Sequence, residues 1–191
     1  MTNLDLDQQQ GKRERLVEGA RRMLHEQGVH ATTLADIAEV ANVPVGNVFY
    51  YFKTKDELVE AVIDAHVRDI QTMLVELELH RGPRERLKAL AHTWIDQADR
   101  VAQYGCPLGS LCQELDKHDD DLSLKAARLI SLSVDWAEGQ FRLMGRSDAH
   151  DLAIALIAAF QGTSLLTNTF RDPEIMIRQS RRIEHWIDSL D

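Results

Sequence analysis

Residues 32–58, TTLADIAEVANVPVGNVFYYFKTKDEL, restrict the fold more than any other part of the chain. Leu34, Ile37, Ala38 and Ala41 recur at helical spacing, and Val43 and Val48 supply the apolar side of a second, shorter helix. Ala38 is small where two helices would cross. Asn42 falls in the turn between them, where the backbone needs a positive φ that Asn tolerates best after Gly. Two helices joined so tightly bury against each other and leave the second able to enter a DNA groove.

The remainder of the 191 residues carries the same period. Only four prolines and ten glycines interrupt it, and no segment reads as a strand. The expectation is an all-α chain of about nine helices: an N-terminal three-helix helix-turn-helix domain followed by a C-terminal helical bundle. Residues 1–10 lack periodicity and are expected to form a disordered arm, with the DNA-binding domain at 11–55 and the ligand-binding and dimerisation body at 56–191. Helices are expected at 12–27 with Gly28 as cap, from 33, at 45–51, at 54–79 behind a Thr54/Glu57 capping box, at 83–104, 107–115, 122–144, 152–169 and 173–189. The last two are apolar round most of their circumference, which demands burial on two sides. A second copy of the chain could cover one of them, with Ile157, Ala158, Leu165, Ile183 and Ile187 in the dimer interface.

A net charge of −9 argues against a chain that is basic throughout. Residues 1–55, however, hold seven Lys or Arg and seven Asp or Glu, so the whole −9 lies in residues 56–191. An acidic body repels phosphates and leaves one end as the tolerable contact, with strong salt sensitivity. The longest apolar stretch, 152–160, falls far short of the roughly 20 residues needed to cross a bilayer. The polar start MTNLDLDQQQ is no signal peptide, so a cytoplasmic location without membrane attachment is expected.

Thr33-Leu-Ala-Asp-Ile-Ala, followed by Val-Pro-Val-Gly-Asn-Val-Phe-Tyr-Tyr-Phe-Lys-Thr-Lys-Asp-Glu-Leu, resembles the N-terminal DNA-binding signature of TetR-family transcriptional regulators. The likeness covers about residues 15–62. Family members usually carry a polar residue, often Lys, just before the glycine matching Gly46, whereas this chain has Pro44 and Val45 there. The resemblance implies a homodimer that binds a palindromic double-stranded operator, acts as a repressor, and is released by a small-molecule inducer in the C-terminal domain. Base preference does not transfer.

A recognition helix enters the major groove by its N-terminal residues while the helix before it crosses the backbone. That puts Pro44, Val45, Gly46 and Asn47 at the leading end. There Gly46 permits close approach, Asn47 can pair with adenine, and Val45 can pack on a thymine methyl. Tyr50, Tyr51, Lys53 and Lys55 follow on the phosphate side, and Thr33 offers a hydroxyl to another phosphate. Tyr50, Tyr51 and Phe52 also suit plain packing.

In the C-terminal part, Met73, Trp94, Leu111, Cys112, Trp136, Phe141 and Phe160 fall on the helices between which an inducer would sit, and they equally suit a bundle core. Cys106 and Cys112, six residues apart, lie about 9 Å apart along a helix axis, too far for easy bridging. Cys106 directly precedes Pro107 at a helix N-terminus, where amides favour a thiolate, and this supports an alternative: a repressor sensing oxidants or electrophiles through Cys106. A buried apolar role suits both thiols as well. The acidic run 116–121 around His118 lacks the alternation and central glycine of a calcium loop and reads as a solvated connection. With no nucleophile elbow, phosphate loop or zinc spacing, no catalytic residue, metal or cofactor is expected. An enzyme or carrier using the bundle for binding alone is the remaining rival.

Overall fold

The computed structural model describes residues 3–116 and 121–190 and is all-α, with no strand among the described residues. The helices are α1 (Asn3–Ala31), α2 (Leu34–Val40), α3 (Val45–Tyr51), α4 (Lys55–Leu77), α5 (Pro83–Asp96), α6 (Ala98–Tyr104), α7 (Pro107–Leu115), α8 (Asp121–Leu143), α9 (Ala149–Phe170) and α10 (Pro173–Asp188). Two sequence expectations are corrected. Residues 3–10 are the start of α1 rather than a disordered arm. The single helix expected at 83–104 is two, because Gln97 leaves the ladder and its N–H turns back to the Trp94 and Ile95 carbonyls. One turn earlier, the Thr93 hydroxyl donates to the Leu90 carbonyl at 2.7 Å, a local bond that competes with continued helix.

The chain divides into two compact units, and the division does not fall at 55/56. The first comprises 1–67 with 110–126, and the second 68–109 with 127–191. The boundaries therefore pass through α4, α7 and α8.

In the first unit, Leu16 and Ala20 of α1, Ile37 and Ala38 of α2, Val48 of α3, and Leu58, Val59 and Val62 of α4 form one apolar core. Gly28 breaks α1 with φ 84°, a conformation open to glycine at no steric cost. The buried Thr32 hydroxyl donates to the Gly28 carbonyl at 2.7 Å and closes the corner. Thr33 caps α2 in a full box: its hydroxyl accepts from the Asp36 amide at 3.2 Å, and its own N–H donates to the Asp36 carboxylate at 2.8 Å. Asn42 has φ 51°, as the tight turn requires. At the start of α4, Thr54 accepts from the Glu57 amide at 3.1 Å, while the Glu57 carboxylate takes the Lys53 N–H at 2.7 Å. Leu111, Leu115 and Ala126 are the buried apolar residues of the 110–126 segment.

In the second unit α10 packs on α5, α6 and α9, and α6 on α9. Leu87, Ala91 and Trp94 of α5, Phe141 of α8, Leu156 of α9, and Met176 and Ile187 of α10 are all buried. Arg84 caps the end of α10 by donating to the Ile187 and Leu190 carbonyls. The Glu78 carboxylate gathers the Trp136 indole N–H and the Gln140 amide, each at 2.7 Å, together with the Arg86 guanidinium at 2.6 Å.

Candidate nucleic-acid interface

The turn that aims α3 is built from backbone. Asn42 N–H reaches the Glu39 carbonyl at 3.0 Å and Val43 N–H the Ala38 carbonyl at 2.9 Å, which ends α2, and Pro44 opens α3 with its extended ψ of 132°. Val48 is wholly buried and pins α3 by its inner side. Val45, Phe49 and Tyr50 stand outward at 47%, 50% and 62% exposure, with Pro44 and Gly46 also exposed and Asn47 half-buried. Nothing lies within 4 Å of a Cβ placed on Gly46, so that point of the helix is open. Large apolar side chains on an isolated surface are ordinary singly, but three on a seven-residue helix form a contact face.

The polar residues expected around α3 are placed unequally. Tyr51 is half-buried and meets Tyr50 edge to face at 5.0 Å between ring centroids. The Lys53 ammonium donates to the Phe49 carbonyl at 2.8 Å, so it caps α3 while lying exposed on its flank. The Lys55 ammonium donates to the Val29 carbonyl in the corner between α1 and α2. Thr33 is engaged with Asp36, whose carboxyl lies below its usual range because the Thr33 hydroxyl and N–H both donate to it. A carboxylate held ionised beside Thr33 is a poor neighbour for a phosphate.

Two residues of this face were not singled out from sequence. Phe49 lies four residues after Val45, hence on the same side of α3, and that spacing was the available signal. Arg13 of α1 lies with its guanidinium 5.0 Å from the Phe52 ring centroid, which brings a basic side chain to the end of α3. No local pattern announces that pairing.

In the second unit, Trp94 and Phe160 pair at 4.6 Å. Phe141 instead meets Trp186 at 6.1 Å, and Trp136 is drawn to Glu78. Leu111 and Cys112 belong to the first unit, and Met73 is half-buried on α4. Of the seven pocket candidates, therefore, the ring contacts join only Trp94 and Phe160 directly.

The thiol reading of Cys106 is corrected by its surroundings. Cys106 is 6% exposed, and burial pushes its thiol above the usual range despite the opposing Gly109 and Leu108 amides and the Gln161 side chain. Helix-terminal amides do reach the sulfur, Gly109 at 3.4 Å, yet desolvation outweighs them, against the thiolate that the helix N-terminus alone would favour. Cys112, likewise in no disulfide, donates to the Ala126 carbonyl at 3.2 Å. Of the acidic run, His118, Asp119 and Asp120 lie outside the described residues.

Comparison with known proteins gives this arrangement its setting. The profile described as "Bacterial regulatory proteins, tetR family" matches residues 16–62, the stretch that holds the tight turn and α3. An HTH-type transcriptional regulator encoded in the lacX 3' region of Lactococcus lactis is 32% identical over 171 residues, covering 86% of this chain and 87% of its own. The HTH-type transcriptional regulator TtgR of Pseudomonas putida is 26% identical over 194 residues, covering 96% and 91%. Among solved structures, a TetR transcriptional regulator from Chloroflexus aurantiacus superimposes with a TM-score of 0.84 over 96% of this chain and 97% of its own, at 21% identity, and so shares the fold. With the Lactococcus lactis relative 32% identical across 86% of this chain, and α3 presented outward from the segment the family profile matches, the chain belongs to the TetR family of bacterial helix-turn-helix transcriptional regulators.

Proposed function

We propose that this regulator is a repressor that binds a palindromic operator as a homodimer and leaves it when a small molecule occupies the C-terminal domain. The observation that carries the reading is α3: Val48 fully buried on one side, with Val45, Phe49 and Tyr50 turned out beside Asn47 on the other. In the major groove Asn47 pairs with adenine, the apolar residues meet thymine methyls, and Arg13 and Lys53 face phosphates.

The dimer is supported by α9. An 18-residue window of this 22-residue helix has a mean hydropathy of 1.3, and the helix meets the length and composition of a membrane span, which the shorter stretch 152–160 did not suggest. Yet its inner side buries Thr163, Ser164 and Thr167 together with Leu156, as the packed side of a globular helix does. Outward it shows Ile154, Leu165, Leu166 and Phe170, with Ala158 between them. A second copy covering that side is the simplest way to remove it from water. Ile157 and Ile187 leave the expected interface, since at 7% and 0% exposure they are spent on the protomer's own core; Ile183 is half-buried.

A two-fold axis then places two α3 helices in successive major grooves, about 34–36 Å apart, and a ligand need only favour another spacing to release the DNA. Of the paired rings, Trp94 is buried and Phe160 half-buried, so such a ligand would meet the pair from the Phe160 side. DNA as partner places the protein in the cytoplasm. Selection of duplexes from a random pool by the purified protein tests the reading. An inverted repeat with half-sites about one helical turn apart is expected, and enrichment of single half-sites alone would contradict it.

A further inference from the structure

The corner between α1 and α2 is gripped from outside the helix-turn-helix. Val29 N–H donates to the Glu114 carboxylate of α7 at 2.6 Å, across 85 residues of sequence. The Lys55 ammonium, at the first residue of α4, takes the carbonyl of the same Val29. One residue is thus held at its N–H by an anion and at its C=O by a cation, two charge-assisted bonds of the stronger kind. Gly28 makes room for this grip. A Cβ there would meet the two Glu114 oxygens at 2.7 and 3.0 Å, so the glycine is needed for the carboxylate's approach as well as for its φ of 84°.

α2 begins at Leu34, five residues past Val29, and α3 follows through the turn at Asn42, so the direction of both depends on this corner. Glu114 lies in the part of α7 that belongs to the first unit, while residues 107–109 of the same helix belong to the second. We propose that Glu114 is a positioning residue for operator binding: its carboxylate, carried on α7, fixes the Gly28–Val29 corner, and with it the setting of α3. The proposal rests on α3 being the operator-reading helix. The two differ in prediction, because Glu114 touches no DNA and its loss should affect specific binding while leaving general attraction to phosphate in place.

The test uses the full-length protein, a duplex selected by the wild type from a random pool, and a scrambled duplex of equal composition. Glu114→Ala should lower affinity for the selected duplex by about tenfold or more, as for loss of a hydrogen bond to a charged group, and should change binding to the scrambled duplex by less than about twofold. Glu114→Gln keeps an acceptor for Val29 N–H and should recover binding to within about threefold of wild type. Gln113→Ala, the exposed neighbour, should behave as wild type. Amide hydrogen exchange at Val29 and through α2 should quicken in Glu114→Ala and not in Glu114→Gln. Wild-type affinity in Glu114→Ala, failure of Glu114→Gln to rescue, a parallel fall on the scrambled duplex, or unchanged exchange would each overturn the proposal. Should the wild type select no duplex, the DNA-reading assignment fails, and the exchange experiment still decides whether Glu114 holds the corner.

Discussion

In the proposed reading of the operator, Asn47 supplies a polar contact and Phe49 an apolar one, and the two can be told apart by changing the DNA rather than the protein. Asn47→Ala should cost about 1–3 kcal/mol at one base pair of the selected operator and relax preference there. Replacing thymine by deoxyuracil removes only a methyl group. At about 0.8 kcal/mol per buried carbon, each methyl against Val45 or Phe49 should be worth roughly fourfold in wild-type affinity and little in Phe49→Ala. Titrations of thymine and deoxyuracil duplexes by fluorescence anisotropy measure both effects, and equal affinities would remove the apolar contact from the mechanism. Cys106 makes the opposite kind of residue-level statement. Its buried, protonated thiol should react with a thiol reagent at neutral pH far more slowly than Cys112, the two rates converging once the chain is unfolded. Rapid modification of Cys106 in the folded protein would reopen the sensor reading.

Between helices, α8 and α9 carry an exposed ionic tie whose pH dependence has a definite sign. The Glu138 carboxylate accepts from His150 at 2.9 Å and also pairs with Arg142. Its carboxyl lies below the usual 4.5, first through the hydrogen bond with His150, and the His150 imidazole lies above the usual 6.5 through the same bond. The raised histidine contributes stability that is fully present below 6.5 and is lost as pH rises through its folded value. The lowered carboxylate contributes stability present above 4.5 and lost as pH falls through its folded value. Both charges therefore favour the folded state between 4.5 and 6.5. Thermal melts of wild type and His150→Ala should differ most near pH 5.5 and converge by about pH 9, with salt reducing the gap. A difference that grows toward alkaline pH would exclude this pair as its source.

For the whole molecule, residues on α9 and α10 separate assembly from stability. Ala158 and Leu165 lie exposed on α9, whereas Ile157, next to Ala158 in the chain, is 7% exposed, and Ile187 of α10 is fully buried. Ala158→Glu and Leu165→Glu should dissociate the dimer and weaken operator binding while the protomer stays helical. Ile187→Ala should lower unfolding free energy by about 2–5 kcal/mol through a core cavity and leave assembly intact at temperatures where the chain is folded. Sedimentation velocity at micromolar concentration, paired with chemical denaturation, separates the two. A monomeric wild type would overturn the dimeric operator model.

Local physics made much of this protein legible in its residues alone. The all-α class, the positive φ at Asn42, the proline start of α5, and the bounds of α3 and α7 follow from period, turn chemistry and helix stops, each acting within a few residues. So do the outward Val45 and Tyr50 beside a buried Val48. Tertiary structure decided what depends on distant partners. Burial decided between the two readings open for Cys106, in favour of the buried apolar one, and the protomer core claimed Ile157 and Ile187, because desolvation depends on neighbours that no helical period names. The grip of Glu114 on Val29 lies beyond any spacing argument. Gly28 reads as an ordinary helix stop until the carboxylate that needs its missing side chain is brought beside it by folding.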